Sequence, residues 1–223
     1  MIPLTVTIKW LDHASFQIRS GNKVIYIDLG EDAKPTEKAD LILVTHSHGD
    51  HCDPKLIQQV RTGDTVIVAP ANCKNQIGGM IISLKPGEQK SVNDIIVRAV
   101  HAYNETRFRS PGNPFHPKGF GVGYIVTLDG KTIYHAGDTD FIAEMKNLGP
   151  IDVALLPIGG KYTMEVGDGA DAALAINPKV VIPHHHWWGR FGQTPEAFKD
   201  KVEAESDIKV IVLKANEEYR LDE

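Results

Sequence analysis

The chain has 223 residues, 42% of them apolar and 24% charged, a balance that suits one large globular domain, 1–223, and excludes a disordered chain. Lys and Arg number 24 against 29 Asp and Glu, so the formal charge is −5, which disfavours general nucleic-acid binding because that runs on clustered cations. Two cysteines, Cys52 and Cys73, are too few for a disulfide framework, no apolar run approaches the ~20 residues of a bilayer span, and the first residues lack a secretory pattern, so a cytoplasmic protein without a membrane partner is expected.

Strand signals open the chain. Leu4–Ile8 alternates apolar and polar residues, and Phe16–Ile18 and Val24–Ile27 follow around a Ser20-Gly21-Asn22 turn, which predicts an antiparallel meander. Leu41–Val44 is a short continuous apolar run, as for a strand buried on both faces. Asp53 and Pro54 suit the N-cap and first position of a helix running to Arg61. Further strands are expected at Val66–Val68, Met80–Leu84, Ile95–Val100, Val122–Leu128 and Thr132–His135, the last two joined by an Asp129-Gly130 turn. The rest reads as a helix at Phe141–Leu148, a strand at Val153–Leu156, a helix at Asp168–Ile176, a strand at Val180–Ile182, a helix at Pro195–Ser206 and a strand at Lys209–Leu213. Strands at both ends with helices between predict an α/β architecture, an αββα sandwich of two mixed sheets flanked by helices.

Ten histidines are an unusual number, and six fall in two short clusters. The first is Thr45-His46-Ser47-His48-Gly49-Asp50-His51, directly after the apolar run. His46 and His48 are two apart, so in an extended stretch their rings point the same way. Gly49 lets the chain turn and bring Asp50 and His51 near them. Imidazole and carboxylate without thiolate suit a catalytic zinc, manganese or iron site. A histidine tag would sit at a terminus, and a solvated loop seldom hangs on a buried strand. Four ligands are too few for two metals. His101, Asp138 and the His184-His185-His186 run all lie near strand ends, where functional loops gather, and complete the candidate set. His116 is an alternative to His101.

Here the residues carry a resemblance. HSHGDH, the later GDT and the closing strand-end histidine are similar, in order, to the motifs of the metallo-β-lactamase superfamily, and imply its fold. The segments WLDHASFQI, HPKG, GVGY, YHAGDTDFI, LLPIGG and VVIPHHH resemble a subgroup of small metal-dependent hydrolases related to L-ascorbate-6-phosphate lactonase and, more distantly, to N-acylphosphatidylethanolamine phospholipase D. The resemblance implies two divalent ions, zinc foremost, with manganese or iron as alternatives. His46, His48 and His101 would bind one, Asp50, His51 and His185 the other, and Asp138 would bridge both. The second position after Pro183 points to His185, with His184 left open. Histidine rather than Glu at position 48 favours hydrolysis over the redox chemistry of the superfamily's diiron members. Two metals, two carboxylates and a bridging hydroxide leave a charge of about +1, suited to hydrolysing an ester, lactone or phosphoester of a small anionic substrate.

Asp50 and His13 are the candidate catalytic residues, and Asp28 could orient a metal-bound histidine. The long loop Tyr103–Lys118 carries Arg107, Arg109, His116 and Lys118, cations that could receive an anion. Gly119–Gly123 has GxGxG spacing before a strand and reads as backbone geometry, not a nucleotide loop. Lys161-Tyr162-Thr163 could touch substrate. Trp187-Trp188 suits core packing, a pocket wall or an oligomer contact, and a homo-oligomer is left open. Cys52 falls outside the ligand pattern. Two other readings compete with the hydrolase: a nuclease of the same superfamily, and a metal-binding module without turnover.

Overall fold

The computed structural model describes residues 5–186 and 191–221. The chain divides into two compact units, one of Met1–Ala99, Val126–Lys131 and Leu213–Glu223, the other of Val100–Ile125 and Thr132–Val212. Leu4, Trp187 and Trp188 lie outside the described residues.

The expected meander is β1 (Val6–Asp12), β2 (Ser15–Ser20) and β3 (Lys23–Ile27), all antiparallel neighbours. The apolar run forms β4 (Leu41–Leu43), buried throughout, and it lies parallel to both β3 and β5 (Val66–Val68). Helix α1 (Pro54–Val60) begins as expected: the Asp53 side chain accepts a hydrogen bond from Lys55 N and Pro sits in the first turn. Its Ile57 and Val60 bury their side chains, contributing about 1.5–3 kcal/mol each. A 3₁₀ turn at Ala71–Cys73 leads into the single turn α2 (Lys74–Ile77). Tyr26, Leu29, Ile42, Val44, Ile57 and Ile67 belong to this unit's core.

A hairpin of β6 (Gln89–Val92) and β7 (Ile95–Ala102) follows, then a small hairpin of β8 (Phe108–Ser110) and β9 (Asn113–Pro114) inside the expected long loop. Next come β10 (Gly121–Leu128), β11 (Lys131–His135), β12 (Val153–Pro157), helix α3 (Val166–Ile176), β13 (Val180–His184), helix α4 (Pro195–Glu205), β14 (Lys209–Val210) and β15 (Glu218–Leu221). Asp129 and Gly130 both have positive φ, as the tight hairpin turn between β10 and β11 requires. Strand order is β15-β1-β2-β3-β4-β5 in one sheet and β14-β13-β12-β11-β10-β7-β6 in the other. Both mix parallel and antiparallel pairs, so the α/β class with two mixed sheets and helices stands.

Several elements differ from the sequence expectation: β6, β8 and β9 carry no expectation, and the strand expected at Lys209–Leu213 spans only Lys209–Val210. Met80–Leu84 forms no strand; Ile82 makes one isolated bridge to Val68, and Met80 is 83% exposed. Phe141–Leu148 is a 3₁₀ segment, Ala143–Asn147, because one turn before Gly149-Pro150 is too short to propagate an α-helix. The edge strand β15 reads as polar in sequence and gains its place only by pairing with β1, from Val6 opposite Leu221.

Helix α3 buries Gly169, Ala170, Ala172, Ala173 and Ile176. Small side chains let it lie close to its neighbours; a Cβ at Gly169 would come within 2.8 Å of Ile158 Cγ2. Asn177 caps its C-terminus in the left-handed region, and its N–H donates to Ala173 O. Tyr134, Met145, Leu156, Ile158, Met164, Phe198 and Val202 fill this unit's core.

Candidate metal centre

Strands β3 and β4 are parallel, with Ile27 opposite Leu43, so their C-terminal ends deliver Asp28 and Thr45-His46 to one sheet edge. Asp28 takes a left-handed backbone, φ 52°, and its N–H donates to Leu43 O at 2.9 Å. Its carboxylate organises the loop that follows. Thr45 N donates to Oδ1 at 2.7 Å, Thr45 Oγ1 donates to Oδ2 at 2.6 Å, and His51 Nδ1 lies 2.8 Å from Oδ2. Because Asp28 is an acceptor, His51 carries its proton on Nδ1, which reserves Nε2 for another role. The same logic reaches His46. The Thr45 hydroxyl spends its proton on Asp28, so it accepts from His46 Nδ1 at 3.0 Å, and His46 Nε2 then faces His48 Nδ1 at 3.1 Å. Ring centroids of His46 and His51 are 4.0 Å apart. His13 Nε2 lies 3.3 Å from Asp50 Oδ2. His13 also has positive φ, 45°; its carbonyl accepts from Trp10 Nε1 at 2.9 Å and its N–H donates to Asp12 Oδ1 at 2.7 Å. Such a strained backbone held by several bonds is found at functional positions.

The loop 48–52 is a tight turn, with His51 N and Cys52 N both donating to His48 O. It lies directly on Gly30, where a Cβ would stand 1.9 Å from Asp50 O. Its side-chain bond with Cys73 and its burial both push the Cys52 thiol pKa up.

The second unit repeats the pattern. Strands β11, β12 and β13 are parallel, and their C-terminal ends carry Asp138, Gly159 and His185. His185 Nε2 is 3.3 Å and His116 Nε2 3.2 Å from the same atom, Asp138 Oδ2. His185 has φ 58°, and a Cβ at Gly159 would stand 2.4 Å from its carbonyl oxygen. His184 points elsewhere, its ring 4.8 Å from that of His135. His101 lies within β7 rather than at its end, and its ring meets Tyr103 edge-on at 6.2 Å.

The loop cations are largely engaged. Arg107 donates to Asp140 Oδ1 at 2.8 Å, Asp168 Oδ2 at 2.6 Å and Gly160 O at 3.1 Å. Lys118 bonds Glu144 at 3.0 Å, and Arg109 lies over the Phe115 ring. Arg107 is therefore a brace for the loop and not an open anion receptor. Burial raises the Asp140 pKa, but bonds from Thr106 N–H and Arg107 outweigh it and the net shift is downward. A carboxylate with a depressed folded pKa contributes stability that is full above its unfolded value of about 3.9 and is lost as pH falls through the folded value. Arg107→Met is accordingly expected to destabilise the protein at neutral pH, with the deficit shrinking on acidification below about pH 4 as Asp140 protonates in both proteins. Urea unfolding followed across pH checks this; a deficit independent of pH would refute it.

Asp28→Ala is expected to leave His51 free to change tautomer and to weaken metal binding by about 10–100-fold, read by chelator competition. Unchanged affinity would remove Asp28 from the site. Sequence reasoning missed Thr45, Asn104, Asp140, Gly30 and Gly159. A glycine just past a strand end was the available signal for the last two; the polar three have none, since their partners are remote in sequence.

A β-lactamase superfamily domain profile matches residues 7–185. The chain is similar to a UPF0173 metal-dependent hydrolase of Thermococcus kodakarensis, 38% identical over 232 residues, covering 97% of this chain and 100% of the relative. It is similar to the crystal structure of a metal-dependent hydrolase from Parabacteroides distasonis, with TM-score 0.84, 38% identity and coverage of 93% and 92%. Its fold is also that of the metallo-β-lactamase fold protein YhfI of Bacillus subtilis, with TM-score 0.76, 11% identity and coverage of 97% and 99%.

Proposed function

The chain belongs to the UPF0173 metal-dependent hydrolase family of the β-lactamase superfamily, and on that premise we propose a dinuclear hydrolase that cleaves an ester, lactone or phosphoester bond of a small anionic substrate in the cytoplasm. The observation that carries it is the buried Asp138 oxygen with two imidazole Nε2 atoms within 3.3 Å. A carboxylate and imidazoles arranged with nitrogen facing oxygen suit a divalent cation held among them, and the donor set, without thiolate, fits zinc, manganese or iron. In one unit His46, His48, Asp50 and His51 are the residues that would hold metal, and in the other His116, Asp138 and His185. His116 takes the role that the resemblance gives to His101, supported by its approach to Asp138.

Two such ions would supply Lewis-acid activation of a water nucleophile and of the leaving oxygen. The chain's own residues do the rest. Asp28 and Thr45 hold His51 and His46 in one tautomer each, so that no proton competes for Nε2. Asp50 orients the nucleophile, and His13 Nε2, 3.3 Å from Asp50 Oδ2, holds the proton that the leaving oxygen takes up. Two carboxylates against two divalent ions leave the centre positive, which supports an anionic substrate. The proposed kinship with L-ascorbate-6-phosphate lactonase makes lactones and phosphoesters the first panel. The test is hydrolysis of that panel by zinc- and manganese-loaded protein, with chelated protein as control. Metal-dependent turnover supports the hydrolase; metal binding without turnover of any member would leave a binding module, and salt-sensitive cleavage of RNA would make it a nuclease.

A further inference from the structure

We propose that Asn104 is a positioning residue that holds His116 in its Nδ1–H tautomer and thereby reserves His116 Nε2 for metal coordination; this rests on the metal-centre reading above. The partners of the buried Asn104 amide fix which way it faces. Its Nδ2 lies 3.0 Å from Asp140 Oδ1 and 3.1 Å from Tyr162 O. A carboxylate and a backbone carbonyl only accept, so Nδ2 must be the end that meets them. The other end, Oδ1, then faces His116. It accepts from His116 N at 2.8 Å and lies 2.9 Å from His116 Nδ1. Turning the amide over would set an NH₂ group against the His116 backbone N–H and a carbonyl oxygen against the carboxylate and the Tyr162 carbonyl, losing those three bonds. Asn104 Oδ1 opposite Nδ1 favours a proton there, and a cation held between Nε2 and Asp138 Oδ2, 3.2 Å away, would take the Nε2 lone pair.

The brace behind Asn104 is unusually complete. Asp140 Oδ2 accepts from Glu105 N, Thr106 N and Thr106 Oγ1, at 2.8, 2.7 and 2.9 Å, and Oδ1 also accepts from Arg107. Asn104 N–H donates back to His116 O at 2.8 Å, so residues 104 and 116 grip each other through backbone and side chain. Five donors thus fix one carboxylate, the carboxylate fixes an amide, and the amide fixes a histidine. This explains why a ligand can come from the middle of a long loop, which on its own would be too mobile to hold an imidazole within the tolerance a metal needs.

The test is ¹⁵N NMR of the histidine rings in wild type and Asn104→Leu, with zinc affinity by chelator competition. In wild type His116 Nδ1 should be protonated both in the zinc-loaded protein, where Nε2 is proton-free, and in the metal-free protein, where Asp138 can also hold a proton on Nε2. Asn104→Leu should lose that preference in the metal-free protein and bind zinc about 10–100-fold more weakly. A proton-free Nδ1 in wild-type His116 would overturn the proposal without any variant, which keeps it testable should Asn104→Leu fail to fold. An unchanged tautomer and zinc affinity in the folded variant would overturn it equally. Wild type that binds no zinc would sink the metal-centre reading, whereas the metal-free spectrum would still decide whether Asn104 sets the tautomer.

Discussion

Asp138→Ala is expected to reduce bound metal from about two equivalents to about one or fewer and to abolish turnover, with the fold retained. The carboxylate lies at the end of β11 and is 5% exposed, and its Oδ2 has His116 and His185 nitrogens at 3.2 and 3.3 Å. Removing it takes away the one anion that both imidazoles approach. The expected cost falls on the metal and not on the core. Mass spectrometry of metal content, on untagged protein purified without chelators, makes the measurement, and circular dichroism checks the fold. Two equivalents in both proteins would refute the bridging assignment. Traces only in the wild type, even after metal is added back, would refute the dinuclear centre.

Gly30→Ala is expected to be far more damaging than Gly49→Ala, although only Gly49 lies inside the histidine motif. A Cβ at Gly30 would stand 1.9 Å from Asp50 O and 2.5 Å from its carbonyl carbon, and both are backbone atoms that cannot swing aside. The loop carrying Asp50 and His51 must move or the protein must distort, at a cost of about 1–3 kcal/mol or more. A Cβ at Gly49 meets nothing within 4 Å, so that change should stay within about 0.5 kcal/mol. Thermal unfolding and zinc affinity of both variants give the comparison. Gly30→Ala should lose several degrees in Tm and bind zinc more weakly, whereas Gly49→Ala should match wild type in both. Equal behaviour of the two would show that the 48–52 turn is not seated on Gly30.

Among the described residues no helix is long and apolar enough to cross a membrane. Much of the fold was legible because its signals are local. β3 and β4 are apolar runs, α1 announces itself through Asp53 and Pro54, and the β10–β11 turn through Asp129-Gly130. Elements without a local signal were missed: β15 needs β1 as a partner, and the β8–β9 hairpin sits in a loop whose composition shows only Pro and Gly.

The site divides in the same way. Sequence alone picked out the candidate metal ligands, since spacing in His46-Ser47-His48-Gly49-Asp50-His51 is a property of the chain itself. It also limited the candidates elsewhere to His101 or His116 and His184 or His185. Only the tertiary structure set His116 and His185 against Asp138 and turned His184 onto His135. It alone made Arg107 a brace, by bringing Asp140 and Asp168 to it from 33 and 61 residues away. The physical reason is that a donor atom's role depends on what its other atoms already bond. Those partners, Asp28 for His51 and Asn104 for His116, are 23 and 12 residues distant and meet only when the chain folds.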